Sequence, residues 1–92
     1  MNQRLAETLG ILQEECAEVI VEVSKIRRFG LDTANYNSGM TNTHRDQLAH
    51  ELGDVLAMID ILLDQDIVSQ TTLDLYKQQK KDKLKQWSKI YE

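Results

Sequence analysis

Apolar residues recur at alternating steps of four and three along the first part of the chain, and this spacing limits the possible folds more than any other feature. Such steps keep side chains on one side of an α-helix, whereas an amphipathic strand alternates at every second residue. The pattern predicts a helix from about Asn2 to Arg27, with Asn2 as its cap. The apolar seam consists of Leu5, Leu9, Leu12, Cys16, Val19, Val23 and Ile26.

A second stretch has the same helical spacing. Phe29-Gly30 ends the first helix, and a loop rich in Asn, Gly and Thr continues to Thr43. Thr43 lies three residues before Asp46, a spacing typical of a capping box at a helix start. The second helix is predicted to reach about Leu63, with a seam of Leu48, Leu52, Val55, Ile59 and Leu62.

A third helix follows a short polar break at Asp64-Gln65-Asp66. Ser69 is a suitable cap for its first turn. Its apolar face is less regular than the other two seams and contains Leu73, Tyr76, Leu84 and Trp87.

These patterns predict an all-α fold, a helical bundle with three main helices in one domain spanning residues 1–92. The chain contains no proline, no alternating strand pattern and no internal repeat. A domain of this size buries only about 60% or somewhat more of its unfolded surface. We therefore expect oligomerisation to complete the bundle, as a homodimer or a homotetramer.

Charge and cysteine content exclude several classes of protein. Acidic residues outnumber basic ones by 15 to 11, which argues against binding a nucleic acid polymer. No apolar run approaches the roughly 20 residues of a membrane span, and no cleavable signal is evident. The single cysteine, Cys16, cannot form an intrachain disulfide. These features predict a cytoplasmic protein without a membrane partner.

Two acidic couplets lie within the helical patterns, where charge is normally avoided. Glu15 and Glu18 form the first couplet, and Glu51 and Asp54 form the second. A spacing of three residues puts both members on one helix face, about 5–6 Å apart at Cβ. Antiparallel packing of the two helices would bring both couplets to one edge of the core. Carboxylates without Cys or His favour a hard cation, Mg²⁺ or Mn²⁺, over Zn²⁺.

A plainer interpretation stays open beside the metal site. Glutamates that flank a helical seam are often solvated or form ion pairs between helices. Glu22 continues the acidic stripe and is either an outer ligand or such a flank residue, whereas Glu14 points elsewhere and is expected to be solvated. Neither His44 nor His50 has a Glu three residues before it, so the Glu-x-x-His signature of di-iron bundles is missing.

Three segments together carry a family resemblance. They are Leu12-Gln-Glu-Glu-Cys-Ala-Glu-Val19, Lys25-Ile-Arg-Arg-Phe-Gly30 and His50-Glu-Leu-Gly-Asp-Val-Leu56. The chain resembles the MazG-like branch of the all-α nucleoside triphosphate pyrophosphohydrolases, especially the short phage-type members. The family pattern of ExxE followed by ExxD on a later helix matches both couplets, and the similarity extends loosely over nearly the whole chain.

The resemblance implies hydrolysis of a nucleoside triphosphate, with dGTP or another purine nucleotide as a candidate, to the monophosphate and pyrophosphate. It implies Mg²⁺ as cofactor, with Mn²⁺ as a possible substitute, held by Glu15, Glu18, Glu51 and Asp54. One of these carboxylates, for which Glu15 is our choice, is expected to take a proton from the attacking water.

Phosphate contacts are expected from Lys25, Arg28 and Lys83, although a Lys-rich helix face is usually just solvated. The chain departs from the longer MazG pattern at Ile61, where a polar Asn is common, and lacks paired arginines after Lys83. Sugar and base contacts are therefore open. Candidates for base contacts are Asn35, Tyr36, Asn37, Asn42, His44 and Trp87.

Two alternatives and several packing assignments complete the predictions. A phosphoribosyl-ATP pyrophosphohydrolase-like enzyme is the enzymatic competitor. A noncatalytic helical dimer that binds a protein partner through the Lys-rich third helix is the non-enzymatic one. Four residues are more typical of packing than of chemistry, and these are Cys16, Met40, Met58 and Trp87.

Overall fold

The computed structural model describes residues 1–34 and 42–92. In those ranges, regular structure is helical apart from an isolated antiparallel bridge between Ala34 and Thr43. The helices are α1 (Gln3–Phe29), α2 (His44–Asp64) and α3 (Gln70–Trp87). The predicted all-α fold with three main helices is confirmed. The chain divides into two compact units, Met1–Ile61 and Leu62–Glu92, and a single domain over 1–92 stays a prediction.

Helix α1 begins and ends at residues suited to those roles. The Asn2 side chain accepts a hydrogen bond from the Leu5 N–H at 2.8 Å, which confirms Asn2 as the cap. Gly30 ends the helix with φ 94°, a backbone conformation that other residues adopt only at a steric cost. Its N–H donates to the Ile26 carbonyl at 2.7 Å. The helix ends two residues later than predicted, because Arg28 and Phe29 complete its last turn.

A capping box starts α2, as the sequence predicted. The Thr43 N–H donates to the Asp46 carboxylate at 3.2 Å, and the Asp46 N–H donates to the Thr43 hydroxyl at 3.2 Å. This reciprocal pair satisfies N–H groups that the first turn of a helix leaves without intrahelical partners.

The chain just after α1 supports the same helix start. The Thr33 carbonyl accepts from the His44 N–H at 3.1 Å, and the Leu31 carbonyl accepts from the Arg45 N–H at 2.8 Å. The Arg45 guanidinium donates to both oxygens of the exposed Asp32, at 2.9 and 3.1 Å. The first residues of α2 are therefore attached to the segment that ends α1.

Helices α1 and α2 pack antiparallel within the first unit. Glu22, near the end of α1, contacts His44 at the start of α2. Glu15, seven residues earlier on α1, lies beside Glu51, seven residues later on α2. The contacts advance in opposite directions along the two helices, so Glu15 of the first couplet meets both acids of the second, as antiparallel packing predicted.

The buried residues of this unit are mostly polar. Thr8 and Glu22 are buried on α1, and His44, Glu51 and Met58 are buried on α2, all with relative exposures of 9% or less. Within each helix the buried positions and Glu15 are separated by multiples of seven residues, close to two helical turns. The buried state of Met58 confirms its packing assignment, whereas Met40 lies outside the described residues.

The expectation that Cys16 packs in the core was wrong. Cys16 is exposed, and Val23 on the same line of α1 is 41% exposed. Instead, the side of α1 that carries Thr8, Glu15 and Glu22 faces α2. Leu12 and Val19 are half-buried. The acids and their partners thus occupy part of the helix interface, and the outer side of the predicted seam is left uncovered in the single chain.

The second unit contains α3 and the end of α2. The Ser69 hydroxyl accepts from the Thr72 N–H at 3.2 Å, which confirms the predicted cap. Leu62 is buried, but α3 has no buried residue, and Trp87 is 78% exposed. The packing assignment for Trp87 was wrong for the single chain, in which this side chain is exposed. Among the described helices, none has the length and apolarity needed to cross a membrane.

Candidate metal centre

Three carboxylates from two helices converge in the first unit. One oxygen each from Glu15, Glu51 and Asp54 lies within 4.8 Å of the other two. Glu51 is 9% exposed, and Asp54 is half-buried. Like charges at this separation repel each other, and partial burial weakens the screening by water. The folded chain therefore holds acids together that would separate if they were free.

The surroundings of Glu15 raise the pKa of its carboxyl group. Desolvation raises the pKa of its carboxyl above the ordinary value of 4.5, and the charges of Asp54 and Glu51 raise it further. A side-chain hydrogen bond with Asp54 and the charge of Glu18 act in the same direction. Each of these causes disfavours the ionised form, and a bound cation would favour it.

Two neighbours of the cluster were not identified from the sequence. The Gln47 Nε2 donates to the Glu51 carboxylate at 2.6 Å, and the His50 Nε2 lies 3.4 Å from the Asp54 carboxylate. Both lie four residues before the acid that they contact, a spacing that places side chains together on a helix. That spacing was the signal that sequence reasoning missed. Gln47 orients Glu51, whereas the exposed His50 sits at the open side of Asp54.

Glu18 occupies a different position from the other three acids. It is exposed on α1, one turn after Glu15, and it is not part of the group within 4.8 Å. Its charge still raises the pKa of Glu15, so it borders the cluster. The structure thus brings together three of the four predicted ligands and leaves the fourth at the rim.

The donor set fits a hard divalent cation. All three converging groups are carboxylates, and among the described residues the only imidazole that contacts one of them, that of His50 beside Asp54, is not part of the group within 4.8 Å. Oxygen donors of this kind suit Mg²⁺, Mn²⁺ or Ca²⁺ and do not favour Zn²⁺. A cation at this point would also remove the repulsion that raises the pKa of Glu15.

Comparison with known families confirms the resemblance noted in the sequence. The family model of the MazG nucleotide pyrophosphohydrolase domain matches residues 3–85. The chain belongs to the MazG family. It is a nucleotide pyrophosphohydrolase, a hydrolase that acts on phosphoric anhydride bonds, and enzymes of this family typically depend on a divalent metal. Comparisons with curated proteins and with solved structures found no match.

The basic residues predicted for the MazG substrate differ in their placement. Lys25 is half-buried and lies seven residues after Glu18, so the two share one line on α1. Arg28 lies about 140° around the helix from Glu15. Its guanidinium stands 5.1 Å from the centre of the Phe29 ring, beside an apolar groove that includes Ile20 and Val23. Lys83 is exposed on α3, in the second unit.

His44 is not available for base recognition, contrary to expectation. It is 4% exposed, and its Nδ1 lies 3.0 Å from the carboxylate of Glu22, which is 3% exposed. Asn42 is half-buried and donates from Nδ2 to the Gln47 Oε1 at 3.1 Å, and Trp87 is exposed. The other base candidates, Asn35, Tyr36 and Asn37, lie outside the described residues.

Proposed function

We propose that this MazG protein is a Mg²⁺-dependent pyrophosphohydrolase that converts a (d)NTP, with dGTP or another purine nucleotide as the leading candidate, to the monophosphate and pyrophosphate. The convergence of Glu15, Glu51 and Asp54 within 4.8 Å is the observation that carries the proposal. Mn²⁺ is expected to substitute for Mg²⁺, because both prefer oxygen ligands.

The acids are assigned as the metal ligands, with Glu18 as the outermost. Bound there, the metal supplies positive charge for the phosphate oxygens and lowers the pKa of a coordinated water. Glu51 and Asp54 fix one side of the site from α2, and Gln47 holds the Glu51 carboxylate in place. Glu15 faces them from α1.

Glu15 is also our candidate for the group that accepts a proton from the attacking water. It faces Glu51 and Asp54 from the other helix, so its carboxylate is placed to reach a water held beside those two acids. Glu15 is proposed both to bind the metal and to accept the proton, so the variant Glu15→Gln should lower both metal affinity and turnover.

Of the two residues on α1 predicted to contact the phosphates, Lys25 is better placed than Arg28. It lies two turns beyond Glu18 on the same line, so a triphosphate extending from the metal along α1 would reach its ammonium group. Arg28 faces the apolar side of α1, and its predicted phosphate contact requires a different approach of the substrate. Lys83 is retained as a phosphate-binding residue on sequence grounds alone.

A homodimer or homotetramer is the proposed active form. Large apolar side chains stay exposed on both helices of the first unit, including Ile20 at 70% and Leu56 at 61%. A second copy could cover them, as single chains of this size rarely leave such surfaces open to water. Leu56→Glu should reduce the mass measured by sedimentation velocity.

A cytoplasmic location is proposed on the basis of the lone cysteine.

The first test is a panel of ribonucleoside and deoxyribonucleoside triphosphates with Mg²⁺, assayed for release of pyrophosphate. Glu51→Gln should abolish the release, and Glu14→Gln, an exposed change on α1, should not. The proposal fails if canonical and common non-canonical nucleotides all remain intact. Phosphoribosyl-ATP in the same assay tests the competing enzyme assignment, and calorimetry with Mg²⁺ or Mn²⁺ tests the noncatalytic alternative, which predicts no specific uptake.

A further inference from the structure

A buried contact between a histidine and a carboxyl group joins α1 to α2 away from the acid cluster. The His44 Nδ1 lies 3.0 Å from the Glu22 carboxylate, and the two side chains are 5% and 3% exposed. The 3.0 Å separation is that of a hydrogen bond between the imidazole and the carboxyl group. Neither residue belongs to the metal ligands proposed above, and neither was assigned a role in catalysis.

Both the ring and the backbone of His44 have contacts besides the one with Glu22. The ring stacks on Phe29 with centroids 6.0 Å apart, and the His44 N–H donates to the Thr33 carbonyl. His44 is also the first residue of α2, directly after the Thr43 cap. With the ring held in this way, the contact to Glu22 selects one position of α2 along the axis of α1.

The pair and the acid cluster are linked by equal steps along the two helices. Glu15 precedes Glu22 by seven residues, and Glu51 follows His44 by seven residues. Seven residues span about 10.5 Å of helix. Alignment of Glu22 with His44 in antiparallel helices therefore aligns Glu15 with Glu51, whereas a slip by one turn would separate the acids by about 5.4 Å.

We propose that Glu22 and His44 are positioning residues that set the axial register of α2 against α1 and thereby bring Glu51 and Asp54 opposite Glu15. The effect of the register on metal binding rests on the proposed function, but the register itself is independent of any metal. A buried pair that must keep its hydrogen bond tolerates few alternative alignments, since a shifted helix leaves both groups unpaired. Apolar residues at the same positions would tolerate several alignments.

The test compares variants that keep or remove the directional contact. Glu22→Gln retains an acceptor for His44, and the double variant Glu22→Leu/His44→Phe replaces the pair with apolar side chains of similar size. Two quantities are measured in each protein after circular dichroism has established its helix content. The first is the interhelical NOE between α1 and α2 side chains at the level of Glu15 and Glu51 in the metal-free protein, and the second is the dissociation constant for Mn²⁺.

The wild type and Glu22→Gln should show the NOE and similar Mn²⁺ affinities. The double variant should remain helical, lose the NOE and bind Mn²⁺ at least about tenfold more weakly, in the range found when groups that orient metal ligands are removed. If the double variant is not helical, Glu22→Leu alone replaces it in both measurements with the same expectation.

The inference is overturned if the folded apolar variant keeps both the NOE and the wild-type Mn²⁺ affinity, because the pair would then contribute only packing. It is also overturned if Glu22→Gln loses as much as the apolar variant. A wild-type protein that binds no Mn²⁺ would instead refute the proposed metal site, and the NOE comparison would still decide whether the pair sets the register.

Discussion

The change Glu51→Gln should leave the metal-free protein at least as stable as the wild type, and it should weaken metal binding. Glutamine has nearly the same size as glutamate, and its oxygen can still accept the hydrogen bond that Gln47 donates at 2.6 Å. The substitution removes one of three negative charges within 4.8 Å, so the metal-free variant should be at least as stable as the wild type. The same substitution removes the charge of a proposed ligand at a largely buried position, so metal binding should weaken.

The magnitude follows from the linkage between binding and unfolding. At a metal concentration 100 times its dissociation constant, the wild type gains about 2.7 kcal/mol in the free energy of unfolding. If the variant binds about 100-fold more weakly, the upper end of the loss for a perturbed ligand shell, the same concentration adds only about 0.4 kcal/mol. In a protein of this size, these gains correspond to roughly 10–20 °C and roughly 2–3 °C in Tm.

Thermal unfolding followed by circular dichroism, with EDTA and with Mg²⁺, measures both effects. Glu14→Gln is the matched control, because it makes the same chemical change at an exposed position of α1. A Glu51→Gln protein that keeps the wild-type Tm increase with Mg²⁺ would refute the assignment of Glu51 as a ligand. A metal-free variant that is clearly less stable than the wild type would refute the argument that the three acids repel each other.

Three further outcomes are expected. The pKa of Glu15 is raised, so the folded protein binds this proton more tightly than the unfolded chain does. The free energy of unfolding should therefore fall as the pH rises above the ordinary pKa of 4.5 toward the pKa of Glu15 in the folded protein. Urea titrations in EDTA should show this decline reduced in Glu15→Gln, and an unchanged pH profile would contradict it. Asn2→Ala should lower the free energy of unfolding by about 0.5–2 kcal/mol in urea titrations, whereas Asn2→Asp should retain the cap and most of the stability. Lys25→Gln should raise KM for the nucleotide more than Arg28→Gln does, and the Mn²⁺ affinity should be unchanged in both variants. Equal effects on KM would contradict the argument that Lys25, on the same line of α1 as Glu18, is better placed for the phosphates.

Much of the local structure follows directly from the sequence. The spacing of Leu5, Leu12 and Val19 predicts a helix, and the caps at Asn2, Thr43 and Ser69 form as their residue types predict. These features depend on contacts within one or two helical turns. They can therefore be read from neighbouring residues without knowledge of the partner helix.

The acidic site could be predicted only in part. Two acidic couplets at helical spacing indicate that carboxylates share a face, and the family resemblance indicates what they bind. The sequence did not predict that Glu18 would lie outside the group formed by Glu15, Glu51 and Asp54. It also missed Gln47, because its contact with Glu51 matters only once Glu51 is known to be buried.

The amino-acid sequence by itself determined the three helices, their caps and an acidic composition suited to a hard cation. The tertiary structure decided which line of α1 faces α2, and with it the exposure of Cys16 and the burial of Glu22 against His44. Periodicity fixes the angles between side chains within a helix, but it leaves open the rotation of that helix about its axis and its position along a partner. Those two quantities depend on contacts between residues distant in the chain, since a buried charge is stable only where a partner reaches it.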